Sequence, residues 1–111
     1  MPKEMNLTVV GLNYRLTITT MQELAKDTPL HCRLEREPDN EHDENAIKVL
    51  VTEKPWAKKH DPLHIGYLSR VVASEIAPRM DTFRWPKYDV WLIEVDYVSA
   101  TGQLRLQPVG K

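Results

Sequence analysis

Residues 30–51, LHCRLEREPDNEHDENAIKVLV, contain two alternating runs separated by an acidic stretch. Apolar side chains occupy every second position from Leu30, and the same alternation returns in 46–51. A period of two is typical of strands with one buried face. Pro38 and Asn40 lie between the runs and favour a turn. The side chains predicted to face the core are Leu30, Cys32, Leu34, Ile47, Val49 and Val51.

Period-two patterns recur outside this stretch and predict further strands. One of them carries Gly11, which suggests a bulge or a close backbone approach. Another places Trp91, Ile93, Val95 and Tyr97 on one face, so we expect Trp91 to be a core residue. The predicted strands cover 7–13, 64–68, 91–97 and 104–107, with Leu16 and Ile18 either continuing the first or starting the next.

Two helices are predicted. The longer one begins after Ser69, a plausible N-cap, and Pro78 should end or distort it early. The shorter one covers 21–26, with Thr20 and Glu23 in a capping-box pattern. The apolar residues at helical spacing in the longer helix are Val72, Ala73, Ile76, Ala77 and Met80.

Together these patterns predict a mainly β chain of the α+β class, with one or two short helices. At 111 residues the chain has the length of one domain. Five to seven short strands indicate a small β-barrel or a strongly curved sheet whose interior is filled by side chains. We expect a single domain over 5–108, with flexible termini at 1–4 and 109–111.

Composition narrows the classes of function. The net charge is −1, which is not the charge of a protein that coats nucleic acid in bulk. Residues 35–44 hold six of the 16 acidic residues, so the remainder is mildly basic and a polyanion could bind there locally. The single cysteine, Cys32, excludes an internal disulfide framework and favours a reducing, cytoplasmic setting. No apolar run is long enough for a membrane span.

The acidic stretch allows three interpretations. Its Asp and Asn side chains could cap backbone donors in a tight connection, which is the commonest role of such clusters. A calcium loop of the EF-hand type would need Gly and Glu where the chain has Glu44 and Leu50, so we expect no metal. Catalysis would depend on Asp39, Asp43 and His42 alone. Because two-metal chemistry needs a convergent set of carboxylates, we expect neither an enzyme nor a cofactor.

Four segments of the sequence, taken in order, point to a known family. They are VVGLNY at 9–14, REPDN at 36–40 with DENAIKV at 43–49, IGYLSR at 65–70, and Ala73 with IAP at 76–78. The chain resembles the HIRAN domain, a module fused to Swi/Snf-type DNA-remodelling ATPases and also found in stand-alone bacterial proteins. The resemblance covers about residues 7 to 80.

The resemblance implies a modified OB-like barrel and a non-enzymatic module that captures the free 3′-hydroxyl end of single-stranded DNA. It also implies a role in DNA repair, beside a helicase or remodelling ATPase acting in trans. Carried over by position, the residues facing the DNA end are Asn13, Tyr14, His42, Asp43, Tyr67 and Arg70.

Each of these residues has an expected role. Tyr14 and His42 would stack on bases, and Arg70, at a helix start, would contact a phosphate. Asp43 would accept a hydrogen bond from a terminal hydroxyl, which an internal phosphodiester cannot donate.

The chain departs from the characterised family member at several of these positions. Asn13 stands in place of an Arg, His42 in place of a Tyr, and Tyr67 in place of a His. These changes, with the near-neutral charge, leave open an alternative function as a protein-interaction module that has lost most DNA affinity. Trp56 and Trp85 lie beside basic residues and could be stacking platforms or plugs at the barrel ends.

Overall fold

The computed structural model describes residues 3–52, 62–82 and 84–109, and these form six strands and two α-helices. The strands are β1 (Met5–Val10), β2 (Leu30–Arg36), β3 (Ile47–Val51), β4 (Leu63–Leu68), β5 (Tyr88–Asp96) and β6 (Thr101–Pro108). The helices are α1 (Ile18–Asp27) and α2 (Arg70–Asp81). Trp56, for which two roles were considered, lies outside the described residues.

The strands close into an antiparallel barrel in the order β1-β4-β3-β2-β5-β6, and β6 pairs back onto β1. This confirms the predicted small barrel with short helices. Apolar side chains fill the interior, and no polar or charged side chain is buried among the described residues. The fully buried strand residues include Val9, Ile47, Val49, Val51, Ile65, Leu92, Leu104 and Leu106.

The inward face of β5 differs from the prediction. Val90 and Leu92 are buried, whereas Trp91 and Ile93 are half-buried on the opposite face. The pairing of β5 with β6 shifts register after Leu92, so Val95 again points into the core. A bulge of this kind breaks the strict period of two. The prediction that Trp91 is a core residue was therefore wrong.

The chain also leaves β1 earlier than predicted. The strand ends at Val10, and Gly11 has a φ of 76°, which favours glycine because it has no Cβ. A 3₁₀ turn then covers Leu12–Tyr14, and the Leu12 amide donates to the Ala100 carbonyl at 3.2 Å. The predicted continuation of the strand to Asn13 was wrong.

Both helices are longer than predicted. α1 begins at Ile18, and the hydroxyl of Thr17 accepts from the Thr20 amide at 3.1 Å, so the capping box proposed at Thr20 was wrong. α2 continues past Pro78 to Asp81, and Thr82 closes the last turn by donating its amide and its hydroxyl to the Pro78 carbonyl. In the described residues, neither helix has the length and apolar character needed to cross a bilayer.

A close backbone contact lies in the second half of β4, where this strand meets β1. An ideal Cβ at Gly66 would lie 2.5 Å from the Val10 carbonyl oxygen, so only glycine fits there. The next two residues pair with β1, Tyr67 with Val10 and Leu68 with Val9. This register places the end of β4 and the start of α2 beside the end of β1.

Candidate functional site

The connection between β2 and β3, residues 37–46, is the acidic loop and is ordered by its own side chains. Asn40 Oδ1 accepts from the amides of His42 at 2.8 Å and Asp43 at 3.0 Å. Asp43 Oδ1 in turn accepts from the Asn45 amide at 2.9 Å. The interpretation of these side chains as caps of a tight connection is therefore confirmed for Asn40 and Asp43.

No group of three or more His, Cys, Asp or Glu side chains with metal-binding geometry occurs within 3–52, 62–82 and 84–109. The two oxygens of the Asp43 carboxylate contact different groups. Oδ1 accepts from the Asn45 amide within the loop, and Oδ2 lies 3.8 Å from Nε of Arg70.

Arg36 ties the acidic loop to the end of α2. Its guanidinium donates to the Ala46 carbonyl at 2.8 Å and to the Glu44 carbonyl at 2.9 Å. It also makes a two-pronged ion pair with Asp81, at 2.9 and 3.1 Å. The hydrogen bond from Arg36 holds the pKa of the Asp81 carboxyl below its usual range. One side chain therefore fixes the position of the loop against the helix.

Glu37 joins the acidic loop to β4. Its Oε1 accepts from the Asn40 side-chain amide at 2.6 Å and from the Tyr67 hydroxyl at 2.7 Å. Its Oε2 lies 3.6 Å from Lys48 Nζ. The bond from Asn40, and next the bond from Tyr67, lower the pKa of Glu37. Burial, and next the bond to Glu37, raise the pKa of the Tyr67 phenol.

Sequence reasoning did not assign this role to Glu37. The residue lies in the recognised segment REPDN, but its partner Tyr67 is 30 positions away. The contact depends on the pairing of Lys48 with Tyr67 across β3 and β4. No local pattern in the sequence encodes that register.

A pocket of about 270 Å³ opens between the acidic loop, β4 and the start of α2. We call it the loop pocket. Four of the six predicted site residues lie in its wall. The Arg70 guanidinium donates to the His42 carbonyl at 3.1 Å, so the helix start and the loop meet there. The wall consists of Val10, Asn40, His42, Asp43, Ala46, Tyr67, Leu68 and Arg70.

The other two predicted site residues lie outside this wall. Asn13 and Tyr14 belong to the exposed 3₁₀ turn that follows β1, and Tyr14 is 88% exposed. The Tyr14 ring lies close to Gly11, the residue next to Val10 of the pocket wall. The structure therefore brings His42, Asp43, Tyr67 and Arg70 together and places the Asn13–Tyr14 pair on the adjoining turn.

Acid is expected to weaken the network around Glu37. The folded-state pKa of Glu37 lies below the ordinary value of 4.5, so its contribution to stability is present above that value. It is lost as the pH falls through the folded-state pKa. Urea unfolding should therefore show that Glu37→Gln loses less stability than the native chain when the pH is lowered from neutral to below 4.5.

The matched control is Glu41→Gln, which removes an exposed carboxyl from the same loop. This variant should keep the acid dependence of the native chain. If the stability of Glu37→Gln and of the native chain fell in parallel with pH, Glu37 would not be the cause of the acid dependence.

Comparison with known proteins agrees with this fold. The family model described as the HIRAN domain matches residues 3–86. The crystal structure of the HIRAN domain of human HLTF superposes with a TM-score of 0.66 at 23% identity, covering 94% of this chain and 73% of that one. A crystal structure of a protein from Lactobacillus plantarum gives 0.62 at 25% identity, covering 94% and 91%.

No curated protein sequence matches the chain. The family match nevertheless spans the barrel from β1 through α2 and includes the whole acidic loop and the loop pocket. The two solved structures support the OB-like barrel independently. The chain therefore belongs to the HIRAN domain family, whose members are generally binding modules and are known to bind DNA.

Proposed function

We propose that the loop pocket binds the 3′ end of single-stranded DNA and that the domain acts by binding alone. The observation that carries the proposal is a half-buried carboxylate beside an exposed guanidinium in one apolar-walled pocket. Asp43 is 19% exposed and Arg70 is 73% exposed, and both line the wall. The partner that we propose is a helicase or remodelling ATPase acting in trans, as the family resemblance suggests.

Asp43 supplies selectivity for an end. Its Oδ1 is occupied by the Asn45 amide, which leaves Oδ2 as the acceptor on the Arg70 side. A carboxylate repels a phosphate group at short range, whereas it accepts a hydrogen bond from a hydroxyl. A terminal 3′-hydroxyl is therefore favoured at this position over an internal phosphodiester or a 3′-phosphate.

Arg70 and the start of α2 supply the contact to the backbone. The helix has 12 residues, and the Ser69 side chain makes no capping hydrogen bond to it. Its first amides are thus not capped by Ser69, and they add a favourable field for an anion. The Arg70 guanidinium extends from the same end and can donate to phosphate oxygens.

Aromatic rings supply the contact to the bases. The Tyr67 hydroxyl is held by Glu37, and the His64 ring meets Tyr67 edge-on with centroids 4.9 Å apart. This fixes the ring that lines the pocket. Tyr14, on the adjoining turn, offers an exposed ring, and stacking of a base on such a ring is worth about 1–3 kcal/mol.

The test is a titration with two single-stranded oligonucleotides that differ only at the 3′ terminus. The oligonucleotide with a 3′-hydroxyl should bind about tenfold more tightly or better than the one with a 3′-phosphate. Binding of both should strengthen as salt is lowered, because phosphate contacts release counterions. Equal affinities would remove the claim of end capture, and no binding of either at low salt would remove the DNA proposal.

A further inference from the structure

The surface carries a second groove, of about 540 Å³, which we call the Trp85 groove. The Arg36–Asp81 ion pair lies between this groove and the loop pocket. Strand β2, the end of α2 and the segment that leads into β5 form its walls. Lining residues that matter for its chemistry are Arg33, Met80, Trp85, Lys87, Tyr88 and Asp89.

The Trp85 groove combines aromatic rings with cations. The rings of Trp85 and Tyr88 lie 5.0 Å apart at a tilt of 49°, and both pack against the core while lining the groove. The Arg79 guanidinium carbon lies 5.3 Å from the Trp85 ring centroid. Lys87 and Arg33 add exposed positive charge to the wall. Single-stranded nucleic acid is bound by surfaces of this composition, with rings for bases and cations for phosphates.

The Trp85 groove and the loop pocket are neighbours along two elements. Strand β2 contributes Leu34 to the groove, and its last residue, Arg36, holds the acidic loop in place. Helix α2 begins with Arg70 in the loop pocket, and its residue Met80 lines the groove. At the rise of an α-helix these two positions are about 15 Å apart. A few nucleotides cross such a distance.

The residue pair between the two sites does not block a strand. Arg36 neutralises Asp81 through two short contacts, and Asp89, the carboxylate that lines the groove, lies 3.8 Å from His31 Nε2. The Arg79 side chain on the same helix turn adds a cation next to Trp85. A phosphate backbone that runs from the loop pocket along the end of α2 therefore meets a neutralised ion pair first. It then reaches a groove where the cations of Lys87 and Arg79 outnumber the carboxylate of Asp89.

We propose that the Trp85 groove is a second subsite, which stacks a base on the 5′ side of the terminal nucleotide held in the loop pocket. The proposal rests on the proposed function for the polarity of the strand. Trp85 and Tyr88 supply the stacking surface, and Lys87 and Arg79 contact the phosphates. The packing of the two rings against the core keeps this surface rigid before the strand binds.

The experiment compares a dinucleotide with a decanucleotide, both single-stranded and both with a 3′-hydroxyl. The native chain should bind the decanucleotide about tenfold more tightly or better, because only the longer strand reaches both sites. Lys87→Ala and Trp85→Leu should each lose part of that gain while leaving the dinucleotide affinity unchanged. Lys26→Ala, which removes an exposed lysine on α1, is the charge-matched control and should behave as the native chain.

Crosslinking keeps the test independent of whether Trp85→Leu folds. In the native chain, 5-iodouracil placed a few nucleotides from the 3′ end should crosslink to Trp85 or Tyr88, and at the terminal position it should not. If Lys87→Ala weakens both oligonucleotides equally, or if the crosslinks fall elsewhere, the second subsite is overturned.

The two proposals fail in different ways. Loss of the preference for a 3′-hydroxyl, with the length gain and the Trp85 crosslink intact, would overturn end capture and still support the groove as a base-binding site. Affinity that does not grow with length, with the preference for a 3′-hydroxyl intact, would overturn the groove alone.

Discussion

Asp43→Asn is expected to abolish most of the preference for a 3′-hydroxyl over a 3′-phosphate, a change of about tenfold or more in the affinity ratio. The amide keeps an oxygen that can accept from the Asn45 amide, so the acidic loop retains its shape. Its other end presents an NH₂ group where the carboxylate had Oδ2. That group donates to a phosphate instead of repelling it, and Arg70 is released from the carboxylate 3.8 Å away.

The expected change is mainly a gain for the 3′-phosphate and only a modest loss for the 3′-hydroxyl. Fluorescence anisotropy with labelled oligonucleotides measures both affinities. Asp39→Asn is the matched control, since Asp39 is an exposed carboxylate of the same loop that does not line the pocket. An unchanged preference in Asp43→Asn, with the loop stable to urea, would show that another group reads the terminus.

Four of the strands among the described residues were predicted at the right positions. β2, β3, β4 and β6 fall within a few residues of the predicted runs. β5 was found, but its inward face was misassigned because the register shifts after Leu92. The end of β1 was misassigned because the φ of 76° at Gly11 turns the chain into a 3₁₀ turn. A bulge, or a single residue with a positive φ, leaves the apolar pattern of the sequence unchanged. It nevertheless changes which side chains face the core.

The sequence could give the candidate site only as a set of positions carried over from the family resemblance. The stretch from REPDN to DENAIKV contains His42 and Asp43, IGYLSR contains Tyr67 and Arg70, and these four residues share the loop pocket. What holds these side chains was not predictable, because the contacts of Glu37 span from three to 30 positions of sequence. Such contacts follow from strand register and helix placement, which are properties of the whole barrel.

Arg36→Ala is expected to lower the free energy of unfolding by about 2–4 kcal/mol, from loss of its bonds to the carbonyls of Glu44 and Ala46. The Arg36 side chain is only 14% exposed, so its truncation removes packing as well as these charged hydrogen bonds. The link to Asp81 is lost as well, which frees the acidic loop from α2. Urea unfolding measures the effect, and DNA affinity should fall with it because the loop carries Asp43.

The control for this substitution is Arg33→Ala in the same strand. Arg33 is 54% exposed and meets Glu35 at 3.5 Å, and exposed ion pairs of this kind are worth about 1 kcal/mol or less. Arg36→Lys should recover only part of the loss, because a single ammonium cannot reproduce the fork that reaches two carbonyls and a carboxylate. Equal destabilisation by Arg33→Ala and Arg36→Ala would mean that charge on β2, and not the link from loop to helix, stabilises the fold.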